Sequence, residues 1–303
     1  MNTPVKKQEA KQQEVTQLNS NTESWQHLAS DTDYQIPLLW YPAQQDQAEA
    51  NFVILPALGT DAKHYTLFAQ ALNNQGFNVA VVEHRGYGES TLRPSRNNDW
   101  GFKTVIFNEI AESLRWVKSH NQSTPTYLIG HSLGGQLSVA SSALLKDLYD
   151  GFILIACASP FFGNYSGNTK FQLRLLTYLA PLLSTLYGYF PGPKVGFAGN
   201  ESRGLFRDWL QLAKFNQYDI KGIDRNINPH IERYNGNTLS LSFQQDQMAP
   251  LKAVTNINSK LKNAKLTHKE FTESELGCRS GHFDWLRKPD AVCTYIINWL
   301  ERL

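Results

Sequence analysis

The sequence predicts an α/β protein, a doubly wound and mostly parallel sheet with helices on both faces and a helical insertion. Three features predict it. Between Asn51 and Ser159 short apolar runs alternate with stretches of helical periodicity, the pattern of a parallel sheet covered on both sides. From Pro160 to about Asn237 no clean strand pattern is found, and two helical ones replace it. From Thr238 strand-like runs return.

The elements follow in order. "SWQHLASDTDYQIPLLWYPA" reads as two short strands around a polar turn at Ser30 to Asp33. "NFVILPA" is a buried strand by its continuous apolar run, and "HYTLFAQALNNQG" an amphipathic helix ending near Gly76. "FNVAVVE" is the next strand. In "TVIFNEIAESLRWVKSH" the residues Val105, Ile106, Ile110, Leu114 and Val117 fall at helical spacing. "PTYLIG" is a strand, "GGQLSVASSALL" a helix of small residues, and "GFILIACAS" a strongly apolar strand. The insertion carries the helical patterns "FQLRLLTYLAPLLSTLY", with Phe171, Leu175, Leu179, Leu182 and Leu186, and "RGLFRDWLQLAKF", with Leu205, Phe206, Trp209 and Leu210, two helices expected to bury one face on the core and still line a cleft. The strands "TLSLSF" and "AKLTHKEFT", with a helix at "PLKAVTNINSKLKN" between them, and a last helix from Pro289 to Leu303 complete the sheet. The expected division is a polar tail at 1–23, a core at 24–159 and 238–303, and a helical cap at 160–237.

Bulk properties bound the function. The chain has 303 residues, of which 41% are hydrophobic and 18% charged, enough for a substantial core. A formal net charge of +2, without a basic stripe interleaved with aromatics, gives no reason to expect nucleic acid. Three cysteines at unpaired spacings argue against a disulfide framework and against a zinc site, and fit a reducing compartment. The N-terminal stretch has no apolar core of a secretory signal. "LLTYLAPLLSTLYGYF" is short of the roughly 18 to 20 apolar residues of a membrane span and contains Pro181. These readings lead to a cytoplasmic expectation.

"YLIGHSLGGQLS" carries the chemistry. A serine that attacks must expose its oxygen on a rigid backbone, and a sharp strand-to-helix turn provides both. That turn crowds the positions two before and two after the serine, here Gly130 and Gly134 around Ser132. The amide of Leu133 would face a developing oxyanion, helped by the helix dipole. Gly135 would let the helix approach the sheet. Such a serine needs a base, and the base needs an orienting acid. Among eight histidines, His282 lies in "RSGHFDWL", a loop between the last strand and the last helix that reaches the same sheet edge. His131 flanks the serine and is read as packing. Asp246 follows a strand end in "LSLSFQQDQMAP"; Glu270, Glu273, Glu275 and Asp284 compete with it. The second oxyanion donor is expected from "PALGTDAKHY", with the Leu58 amide first and Ala57 second. No metal or organic cofactor is needed.

The segments "GHSLGG", "EHRGYGES", "QQDQMAP" and "SGHF" together resemble the α/β-hydrolase superfamily over nearly the whole chain from about Ser24. "EHRGYGES" is similar to the Asp-x-Arg-Gly-x-Gly-x-Ser turn of lipase- and esterase-like members, with Glu83 in place of Asp. "PALGTDAKHY", "YGYFPGPKVGFAG" and "FRDWLQLAK" resemble bacterial serine hydrolases related to monoacylglycerol lipases and the serine aminopeptidase family. The resemblance implies a Ser132–Asp246–His282 hydrolase acting on a small-molecule acyl substrate. Ester, amide or C–C bond hydrolysis and acyl transfer all stay open, as does a non-catalytic binding module. The Leu- and Tyr-rich cap offers a peripheral membrane contact, or simply packs on the core.

Overall fold

The structure, a computed structural model, describes residues 23–30, 34–44, 48–120 and 122–303. The expected polar tail lies outside the described residues apart from Glu23, as do residues 31–33 of the expected first turn. The strands are β1 (Ser24–Leu28), β2 (Ile36–Tyr41), β3 (Asn51–Leu55), β4 (Asn78–Val82), β5 (Thr126–His131), β6 (Gly151–Ile155), the two-residue β7 (Phe190–Pro191) and β8 (Asn200–Glu201), β9 (Asn237–Phe243) and β10 (Lys265–Phe271). Among the described residues the main sheet runs β1-β2-β4-β3-β5-β6-β9-β10. β2 is antiparallel to both β1 and β4, and all other neighbours are parallel. The carboxyl ends of β3, β5, β6, β9 and β10 therefore share one edge, where an open α/β sheet presents its crevice.

The two-residue period of a strand divides the core. Val53 and Leu55 of β3, Ala80 and Val82 of β4, and Phe152 and Leu154 of β6 pack into one cluster, whereas Phe52, Ile54, Val79, Val81, Ile153 and Ile155 pack into another. Helices α1 (Thr66–Asn73), α2 (Ala111–His120), α3 (Leu133–Ser141), α4 (Gly167–Tyr187), α5 (Arg203–Phe215), α6 (Leu251–Asn258) and α7 (Asp290–Leu300) cover the sheet and fill the insertion. α2, α3 and α5 contribute to the first cluster, α1, α6 and α7 to the second. Each Ile, Leu or Phe fully removed from water contributes roughly 1.5–3 kcal/mol.

Three features depart from the sequence reading. The helix before α2 widens into a π-helical stretch over Val105–Ile110. The insertion, expected to be helical only, contains the β7–β8 pair, too short to leave a periodic signal. The buried face of α4 is also not the one its leucines suggest. Thr177, Ala180 and Ser184 are buried, while Phe171, Leu182 and Leu186 are about two-thirds exposed (67%, 66% and 65%). Small residues at spacings of three and four let α4 lie close to its neighbours. α5 behaves as expected and buries Leu205, Phe206, Trp209 and Leu210. No helix among the described residues is long and apolar enough to cross a membrane, and the three cysteines are free thiols.

Candidate active site

Ser132 joins β5 to α3 with φ 52° and ψ −111°, a conformation that costs an L-residue energy and survives only where its surroundings enforce it. The enforcement is visible atom by atom. The Ser132 amide donates to Ile155 O on β6 (3.0 Å). A Cβ at Gly130 would sit 2.4 Å from Gly135 N, and one at Gly134 would sit 2.1 Å from Leu55 O. A Cβ at Gly135 would meet the Cys157 side chain at 2.6 Å. The glycine after the serine thus lies against β3 and the next one against Cys157 beyond β6, so the helix starts within contact of the sheet.

His282 and Asp246 meet across the same edge. His282 Nδ1 and Asp246 Oδ2 are 2.7 Å apart, and both residues are buried. The other carboxylate oxygen, Oδ1, accepts the amides of Met248 and Ala249 at 2.8 Å each, which aims Oδ2 at the ring. With Nδ1–H donating to Asp246, Nε2 is left as an acceptor. It is buried and has no hydrogen-bond partner among the described residues. His282 and Ser132 line one cavity. Of the competing carboxylates, Glu273 accepts from Gln245 (2.8 Å) and Glu275 caps Thr272 and pairs with Lys269; the carboxylate hydrogen-bonded to the His282 ring is that of Asp246.

His131, assigned to packing from sequence, makes specific hydrogen bonds. Burial, and then His282, push its pKa well below the ordinary range, so the ring is neutral and carries one proton. Its Nε2 faces the His282 carbonyl (3.0 Å), which can only accept, so the proton sits there. Its Nδ1 then accepts from the Tyr65 hydroxyl (2.7 Å), whose oxygen accepts the Ala57 amide (2.8 Å). This relay ties the loop after β3 to the backbone of His282. It also commits the Ala57 amide and removes it as an oxyanion donor. The Ala57 carbonyl is held by the Thr60 hydroxyl (2.8 Å) and amide (3.3 Å). Because a peptide N–H points opposite its C=O, these bonds turn the Leu58 amide away from Thr60. Leu58 and Leu133 both line the cavity, and Leu133, as the first residue of α3, has no intrahelical acceptor for its amide.

The cavity has a volume of about 1060 Å³. Its apolar wall includes Leu173, Leu175, Leu176, Leu179 and Leu183 of α4, Trp209 of α5 and Phe197. Besides His282, its basic side chains are Lys63, His64 and Arg287. Sequence reasoning missed these three, because each becomes part of the site only through the loops that the sheet edge brings together. His64 forms a second His–Asp pair with Asp61 (2.7 Å), but it is exposed.

Residues 46–220 match the model of the hydrolase family described as serine aminopeptidase, S33. The chain belongs to this family. Its fold is that of the α/β-hydrolase superfamily. Among relatives, this S33 hydrolase is similar to the monoglyceride lipase homolog of Monkeypox virus, 27% identical over 189 residues that cover 62% of each chain. It is also similar to human Protein ABHD12B, 24% identical over 166 residues, 54% of this chain and 44% of that one. The chain thus spans less than two thirds of either relative. A soluble variant of the monoglyceride lipase of Saccharomyces cerevisiae, solved with a substrate analog, superposes with a TM-score of 0.67 at 16% identity, covering 94% of this chain and 96% of that one. Likeness at that identity shows the α/β-hydrolase fold.

In this S33 hydrolase the turn after β4 is built around Glu83. Its carboxyl accepts the amides of Ala62 (3.1 Å) and Glu89 (3.3 Å), and Gly88 leaves room for it, since a Cβ there would lie 1.9 Å from Oε2. Burial raises this carboxyl from the ordinary 4.5 to about 7. An acid with a raised folded-state pKa contributes stability that is full below about pH 4.5 and is lost as pH rises through about 7. The loss is on the order of 3 kcal/mol. Glu83→Gln should therefore show a smaller fall in Tm between pH 5 and pH 8 than the unmodified chain. Parallel falls in the two proteins would show that Glu83 ionises normally.

Proposed function

We propose that this S33 hydrolase cleaves acyl esters through a Ser132–His282–Asp246 triad, and that residues 160–237 act as a cap forming the acyl pocket. The observation that carries the reading is the Asp246-anchored His282, which lines the same cavity as Ser132 and whose Nε2 has no hydrogen-bond partner among the described residues. Nε2 takes the Ser132 proton as Oγ attacks the carbonyl. The amides of Leu133 and Leu58 hold the oxyanion, and His282 returns the proton to the leaving alcohol. Water, deprotonated by the same ring, then releases the acid.

Two features favour an ester over an aminoacyl amide. The wall over Ser132 is a leucine-rich groove suited to an alkyl chain. The lining carries the Arg287 guanidinium and a Lys63 ammonium paired with Glu89 (2.9 Å), and no Asp or Glu lines the cavity among the described residues to receive a substrate ammonium. The similarity to monoglyceride lipases points the same way. The exposed side of α4, with Phe171, Tyr178, Leu182 and Leu186, supports a peripheral contact with a lipid surface, where such substrates reside.

A panel of acyl esters of graded chain length, with thioesters and aminoacyl amides, tests the substrate class. Each buried CH₂ is worth up to ~0.8 kcal/mol, so kcat/KM should climb by tens of fold over several carbons until the groove is full. Presentation of the long esters in vesicles should raise the rate further. A flat length profile, or faster cleavage of cationic aminoacyl amides, would move the assignment to peptidase chemistry.

A further inference from the structure

Outside the triad, Glu83, Glu109, Glu201 and Asp208 are buried carboxylates with no role in the chemistry above. Glu201 is 2% exposed, and burying a carboxylate is a costly way to fill space. It sits in β8, at the end of the insertion's β7–β8 hairpin. Its Oε1 accepts from the Tyr87 hydroxyl and from the Gly199 amide (3.2 Å). The Gly199 backbone lies against both Tyr87 and Gly59, the residue that follows Leu58. A single path of hydrogen bonds and close contacts therefore runs from the loop after β3, past the turn after β4, into the insertion.

The backbones at its two ends touch. Gly59 has φ +82°, and a Cβ on it would meet Gly199 N at 3.1 Å and Ala198 at 3.3 Å. Ala198 has φ 59°, strained for a residue with a side chain and stable only if its neighbours hold it. Gly199 packs so closely on Tyr87 that a Cβ would lie 2.5 Å from the hydroxyl oxygen. Leu58, Gly59 and Thr60 from one side and Val195 to Ala198 from the other line the cavity, whereas Tyr87 and Glu201 do not.

We infer that Tyr87 and Glu201 are positioning residues that clamp the loop bearing the Leu58 amide to the β7–β8 hairpin and so set the oxyanion hole. The inference rests on the ester-hydrolase reading above. Thr60 fixes the carbonyl side of the Ala57–Leu58 peptide, and the Gly199 backbone, held by Glu201 and packed on Tyr87, backs Gly59 on the other side. With both ends of Leu58 held, its N–H is aimed before substrate arrives. The clamp acts mainly on transition-state charge, because most leucines of the apolar groove lie on α4.

The experiment compares Tyr87→Phe, Glu201→Ala and Glu201→Gln in steady-state ester hydrolysis and in the rate of Ser132 labelling by a fluorophosphonate. Phe keeps the ring packing and removes only the hydroxyl. A lost or misplaced oxyanion donor typically costs about 10- to 1000-fold. Tyr87→Phe and Glu201→Ala should lower kcat and the labelling rate by about 10- to 100-fold, with KM within about twofold. Glu201→Gln, which keeps an acceptor oxygen, should stay within about threefold of the unmodified enzyme. Unchanged kcat in Tyr87→Phe, with only a lower Tm or a raised KM, overturns the inference and leaves the triad standing. If Tyr87→Phe fails to fold, the Ala/Gln pair at 201 decides by the same criterion. Absence of Ser132 labelling in the unmodified chain overturns the ester-hydrolase reading itself, and this inference with it.

Discussion

Ser132→Ala should abolish fluorophosphonate labelling and lower kcat on the order of 10⁶-fold, the loss that accompanies removal of a triad nucleophile. The substitution is clean for structural reasons. Alanine meets the same steric cost at φ 52° as serine, and no hydrogen bond of the Ser132 side chain is seen among the described residues, so only the oxygen is lost. The enforced turn persists because it depends on Gly130, Gly134 and the Ser132 amide, not on the hydroxyl. The alanine variant should therefore melt close to the parent temperature while its activity disappears. Labelling of Ser132→Ala at the parent rate would remove Ser132 from its assigned role. The cavity and the oxyanion amides remain in the variant, so a residual rate above that of water is expected.

His282→Ala should be nearly as damaging as loss of the serine, and Asp246→Asn should cost roughly 10⁴-fold. Asp246 Oδ1 takes two backbone amides and Oδ2 takes Nδ1 of the ring. An asparagine that keeps its oxygen on those amides presents an NH₂ to Nδ1. The ring must then carry its proton on Nε2, the nitrogen that should receive the serine's proton. The variant would bind substrate normally with its base in the wrong tautomer. kcat should fall with little change in KM. A fall below tenfold would assign the orienting role to another group.

Much of the site could be read from the sequence because its parts are local. The serine and its flanking glycines lie within a few residues of one strand end. Asp246 and His282 each follow a strand end, so an ordered sheet edge suffices to bring them together. What could not be read depends on partners far apart in the chain. The Tyr65–His131–His282 relay joins three segments whose spacing carries no signal, and the Tyr87–Glu201 contact spans 114 residues. α4 misled for a different reason. Its leucines are numerous on more than one side, so periodicity alone did not mark Thr177, Ala180 and Ser184 as the buried face. A two-residue strand such as β7 or β8 is shorter than any period that could announce it.

The π-helical stretch at Val105–Ile110 bears on what the chain can lose. Such a wide turn is an α-helix carrying one extra residue. Glu109, within the stretch, places its carboxylate against Arg85 and His84 (3.2 Å), beside the turn that holds Tyr87. Loss of one codon there would rotate everything before α2 by roughly 100° while leaving the apolar pattern of the helix nearly intact. The Phe102 amide would leave Asp208 (2.9 Å), and Arg85 would lose its buried counter-charge. Deleting one residue from the stretch should therefore lower Tm far more than deleting one from an exposed loop.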